Sequence, residues 1–162
     1  MYVEDVDIWR KKLLKTEDVM PYIYVQERSF NGWSRIAKEF ETRKGFLKYA
    51  ERGKILKEYE KGAIEEILKR AELVIFKGKK IYAVNNSFKR YTSDLGHFLV
   101  LKKAPLAIIW YEDGEGLHVS LRAFGKIDVS KIACFYGGGG HKNASSFIVK
   151  NFKKPWKKIK QK

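Results

Sequence analysis

Up to about residue 72 the apolar residues recur at three- and four-residue intervals. Trp33, Ile36, Ala37 and Phe40 fall on one helical face, with Asn31 as the expected cap. From Gly45 a longer amphipathic stretch places Leu56, Tyr59, Ala63, Ile67 and Ala71 on one side, and Lys57, Glu58, Lys61, Glu65 and Lys69 elsewhere. Gly53 and Gly62 interrupt it. Each costs about 1 kcal/mol against alanine, which implies close packing or a break. At Leu73 the pattern changes. LVIF is apolar and β-branched, KGKK makes a turn, and IYAVNNS makes a second strand, a hairpin over 73–84. Helical spacing returns from Thr92 to Lys103 through Leu95, Phe98, Leu99 and Lys102, capped by Thr92 or Ser93 and ended by Pro105. LAIIWY is a buried strand, EDGEG a tight turn and LHVSLRAF a further strand. Asp128 or Ser130 caps a short helix through Ile132 and Ala133, and FIVKNF forms the last strand.

The element order from Leu73 is therefore ββαββαβ. The fold class this predicts is α/β: a small mixed β-sheet domain flanked by helices and preceded by a helical segment. The expected divisions are 1–71 for the helical segment, 72–152 for the α/β domain and 153–162 for a basic, partly disordered tail.

Charge changes the picture more than composition does. The 162 residues carry a net charge of +15, which favours anionic partners: nucleic acid, nucleotides or an acidic membrane surface. Cys134 is the single cysteine, so no internal disulfide forms and a cytoplasmic setting is expected. No apolar run approaches the roughly 20 residues that cross a bilayer, so no membrane partner is expected.

The candidate chemistry lies in CFYGGGGHKNASSF, residues 134–147. Consecutive glycines permit positive φ and let successive amides converge on an anion, and His141 and Lys142 follow at once. The run is neither a dinucleotide-binding fingerprint nor a Walker phosphate loop, since HKN stands where GKS or GKT is needed. The competing reading is a flexible loop or a tight helix-to-strand turn. The histidine and the overall charge favour the anion.

GGGGHKNASSF resembles the GGGGHxxAAGF signature of the C-terminal substrate-binding domain of DHH phosphoesterases. HVSLRA at 118–123 is similar to that family's VSLRS strand. Asp128, Val129, Ser130, Ile132 and Ala133 resemble its next helix, SDLGH at 93–97 an earlier helix start, and the Asp5, Asp7, Trp9 spacing the end of its catalytic half. The resemblance implies that Arg122 binds a substrate phosphate or carboxylate. It implies that the Gly137, Gly138, Gly139 and Gly140 amides and His141 line the same pocket, and that Asn143 helps shape it. Asp5, with Asp7 as the alternative, would match a metal-ligand aspartate; the competing reading is a surface carboxylate.

Two departures stand out. Ser145–Ser146 replaces the family's Ala-Gly pair, and Ala123 stands where serine is usual, removing one hydroxyl from the expected pocket. The resemblance also implies two divalent ions, Mn²⁺ or Mg²⁺, held in a catalytic half expected before Asp5. No D-H-H triplet occurs in the chain, so the metals are not expected to bind to this chain alone. Cys134 is expected as a buried helix residue, and Trp156 and Tyr136 are candidates for stacking on bases.

Two functions follow. In the first, the chain grips the phosphate of a nucleotide, short oligonucleotide or single-stranded nucleic acid while a separate catalytic half hydrolyses it. In the second, it is a stand-alone tRNA-binding module like that of alanyl-tRNA synthetases.

Overall fold

A computed structural model describes residues 2–7, 10 and 12–159. The chain forms two compact units, Met1–Ala63 and Ile64–Lys162.

The first unit is helical: α1 (Tyr2–Asp7), α2 (Thr16–Tyr24), α3 (Phe30–Phe40) and most of α4 (Arg43–Leu68). Val19, Met20, Ile23, Ile36, Tyr49 and Ala50 form its core. α3 starts at Phe30 rather than after Asn31, because Ser29 is the residue whose hydroxyl accepts the Gly32 amide (3.0 Å). α4 runs unbroken through both glycines. Gly53 lies so close to α2 that an added Cβ would sit 1.8 Å from the Asp18 carbonyl oxygen, whereas Gly62 faces open space. The expected apolar stripe holds in part: Ile67 and Ala71 pack against the core of the second unit, but Tyr59 is exposed and Ile64 is the residue that is buried there. Helical spacing alone does not fix which of two adjacent stripes meets the core.

The second unit is a seven-stranded mixed sheet of order β5-β6-β4-β3-β2-β1-β7. Its strands are β1 (Glu72–Phe76), β2 (Lys79–Asn85), β3 (Leu106–Asp113), β4 (Gly116–Ala123), β5 (Gly139–His141), β6 (Ala144–Val149) and β7 (Lys157–Lys158). Positive φ at Lys77 and Gly78 turns the β1–β2 hairpin. β2 and β3 pair in parallel, joined through α5 (Thr92–Lys103). α5 starts at Thr92 but follows Tyr91 without a side-chain cap, because the 3₁₀ turn Lys89–Tyr91 leads straight into it. α6 (Val129–Phe135) is capped by Asp128, which accepts the Ser130 amide.

Each face of the sheet has its own core. Ile81, Ile108, Val119 and Leu121 pack with Val129 and Ala133 of α6 on one side; Val84, Ala107 and Ile109 pack with Leu95 and Leu99 of α5 on the other. The tail is not a free appendage. Trp156 is buried beside Trp110 (6.0 Å between ring centroids), and Lys157–Lys158 pair with β1 as β7. Lysine density predicts solvation, but one tryptophan supplies enough apolar area to dock the segment. No helix among the described residues is long and apolar enough to cross a membrane.

Candidate functional site

Strand alternation builds the site. Along β4, Leu117, Val119, Leu121 and Ala123 point into the α6-side core, so His118, Ser120 and Arg122 stand on the α5 face. Residues paired in register share a face. Arg122 therefore lies in a row with Ala144 and His141, Ser120 with Ser146 and Gly139, and His118 with Ile148 and Tyr111.

A cavity of about 360 Å³ opens on this face. Arg122, Ser120, His118, Ser146, Ile148 and Tyr111 form its floor, with Asn86, Lys89 and Thr92 of the β2–α5 connection beside them. Among the described residues no carboxylate lines it. Thr92 opens α5, so the positive end of that helix dipole adds to the field of Arg122 and Lys89.

Arg122 is the best-defined group. One guanidinium nitrogen donates to the Leu121 carbonyl oxygen (3.0 Å) and the other reaches the Ser93 hydroxyl at 3.5 Å. Among the described residues no carboxylate pairs with it, and burial pushes its pKa down. A guanidinium has five N–H donors, so this one retains capacity for a bidentate oxyanion. Its stem lies against Gly96, where an added Cβ would come 2.3 Å from Arg122 Cγ.

The glycine run is less a loop than a helix stop leading into an edge strand. Gly137 has φ +76° and donates to the Cys134 carbonyl, while Gly138 donates to Ala133; together these bonds form a Schellman cap on α6. A Cβ on Gly138 would meet the Ser146 carbonyl oxygen at 2.1 Å, and one on Gly140 the Ala144 oxygen at 2.6 Å. Gly139 faces open space on the cavity side of the sheet. Two of the four glycines thus have a packing reason and Gly137 a backbone one, its positive φ, and Gly139–His141 is extended and paired to β6 rather than curled into a nest.

His141 is exposed on the same face as Arg122, two strands away, which is about 10 Å at normal strand spacing. Asn143 lies in the β5–β6 turn, where its carbonyl accepts from the Ala123 amide (3.0 Å). Ser146 adds a cavity hydroxyl beside Ser120, while Ser145 is buried and braces the hairpin through the His141 carbonyl (2.7 Å). Ala123 points into the opposite core, so a serine there would give the cavity no hydroxyl.

Asp5 belongs to the helical unit and is not a surface carboxylate. Its oxygens accept the Lys12 amide (3.0 Å), the Leu13 amide (3.1 Å) and the Thr16 hydroxyl (2.7 Å). Burial pushes its pKa up, but these bonds together prevail and hold it below the usual carboxylate range. The Asp7 side chain and all of Trp9 lie outside the described residues. Among the described residues no three His, Cys, Asp or Glu side chains gather as a metal would require, so these residues do not fit a two-metal centre. Cys134 is exposed rather than buried. Trp156 and Tyr136 are both occupied by packing, Tyr136 stacking on Phe147 at 4.4 Å.

Sequence reasoning marks Ser146 as a departure beside the expected pocket but does not single out Asn86, Lys89, Tyr111, His118 or Gly96 for this cavity. The polar members of the β4 and β6 alternation were the available signal for His118 and Ser146. The others depend on strand order.

No protein-family model matches the chain. It is 31% identical over 161 residues, 94% of its length, to an uncharacterized protein of Acanthamoeba polyphaga mimivirus, and spans 37% of that relative's length. Among solved structures it is similar to the pGpG-specific phosphodiesterase PggH of Vibrio cholerae, with a TM-score of 0.51 at 13% identity, covering 92% of this chain and 61% of that one. Over the aligned residues the chain shares the fold of that protein. An exopolyphosphatase-related protein from Bacteroides fragilis aligns at a TM-score of 0.43 and 18% identity, over 75% of this chain and 39% of that one.

Proposed function

We propose that this chain is the substrate-binding portion of a DHH-type phosphoesterase acting in the cytoplasm. It grips the phosphate of a nucleotide, short oligonucleotide or single-stranded nucleic acid. Arg122 carries the reading: a partly buried guanidinium with no carboxylate partner among the described residues, at a cavity that Lys89, Ser120 and Ser146 also line. A buried charge without a partner is costly, and a bound oxyanion removes that cost. His141 and the open edge at Gly139 extend the grip along the same face.

Hydrolysis on this reading belongs to a metal-bearing catalytic half outside these residues, with Mn²⁺ or Mg²⁺ bound there. The cavity itself holds no paired nucleophile and base, since no hydrogen bond joins His118 to Ser120 or Ser146 among the described residues. The chain contributes position: a phosphate clamped by a fixed fork presents its ester in one orientation.

The test is calorimetric titration of the chain with a phosphorylated dinucleotide. Arg122→Ala is expected to weaken binding by about ten- to a hundredfold, the worth of one charge-assisted contact. Unchanged binding would sink the assignment. Binding of folded tRNA but not of short oligomers would favour the stand-alone module instead.

A further inference from the structure

We infer that the cavity takes a nucleotide, with its base held against the His118–Tyr111 ring pair, rather than a bare phosphate chain. This rests on the anion-site reading of Arg122. The floor runs along β4 from Arg122 to His118, four residues or about 13 Å of strand. That is longer than a phosphate group needs, and 360 Å³ lies in the range of small-molecule pockets.

The two ends differ chemically. At the His118 end, the imidazole and the Tyr111 ring stack across the β3–β4 pair with centroids 4.5 Å apart and planes within 5°. Asp113 fixes the imidazole through a 2.8 Å contact to Nε2. Asp113 is in turn held by the Glu115 amide at 2.9 Å. The rings are therefore ordered before any ligand arrives, which lowers the entropy lost on binding. A polyphosphate has no surface to place on an aromatic ring. A base has a π-face and little charge, and stacking on an aromatic side chain is tolerant of base identity.

The probes are adenosine 5′-monophosphate and ribose 5-phosphate, which differ only in the base, titrated into the full chain. The nucleotide is expected to bind about tenfold tighter, the usual worth of one stacked base. Tyr111→Leu and His118→Leu keep bulk without a ring. Each is expected to bring the nucleotide down towards ribose 5-phosphate while leaving ribose 5-phosphate unchanged. Tyr111→Phe retains the stack and the preference. Equal wild-type affinities, or a loss on Tyr111→Leu that is the same for both ligands, would overturn the inference. Ribose 5-phosphate binding that survives Arg122→Ala would instead overturn the anion site itself, so the two failures read differently.

Discussion

Gly138 and Gly139 are neighbours in one run, and the fold uses them differently. A methyl at Gly138 would drive into the Ser146 carbonyl, whereas one at Gly139 meets nothing within 4 Å. Gly138→Ala is expected to lower stability by about 2 kcal/mol or more, and Gly139→Ala to stay within about 0.5 kcal/mol; urea unfolding of both variants checks this. Gly96 makes the same kind of room for Arg122. In an exposed helix Gly→Ala would stabilise by about 1 kcal/mol, but here the methyl displaces the arginine stem. Gly96→Ala is expected to keep the fold and weaken phosphate binding severalfold, read by the same calorimetry. Asp5 yields a pH prediction. Its folded pKa lies below the unfolded one, so its contribution is present above the unfolded value, about 4, and is lost as pH falls through the folded value. Asp5→Asn should be less stable than wild type at pH 7, with the gap narrowing below pH 4 in thermal unfolding. At this scale the sequence made Arg122 and His141 visible as donors. It could not show that Asp5 is consumed by the Lys12 and Leu13 amides, because that depends on the loop closing back over α1.

Among the elements, the tail is where local pattern and structure part. Six lysines in twelve residues read as solvated chain, yet Trp156 seats the segment against the sheet and β7 closes the β1 edge. Trp156→Ala is expected to cost about 3 kcal/mol, as large-to-small changes in cores do, and to release β7; the melting temperature and amide exchange at Val74 and Ile75 would report both. The α5 limits and the β1–β2 hairpin were legible, because periodicity changes sharply at Leu73 and Thr92. β5 was not. Three residues, two of them glycine, carry no strand propensity, and they pair only because β6 offers an edge.

For the molecule as a whole, a charge of +15 makes association with nucleic acid dependent on salt. If about four phosphates of a single strand are neutralised, log affinity should fall against log salt with a slope near −3. A salt-independent affinity for a short oligonucleotide would contradict that. The charge is widely spread, but the cavity is local. It exists because α5 packs over β3 and onto the Arg122 end of β4, leaving Ser120, His118 and the polar face of β6 beside it.

The sequence by itself determined the α/β class, the mixed sheet and the basic character. Each follows from side-chain chemistry or from a period of two or 3.6 along the chain, and both are local properties. The tertiary structure alone decided that Arg122, Ser120, Ser146, His118 and Tyr111 share one face, and that most of the glycine run serves a helix cap and a close strand contact. Those outcomes depend on strand order and register, which are set by contacts between segments far apart in the chain.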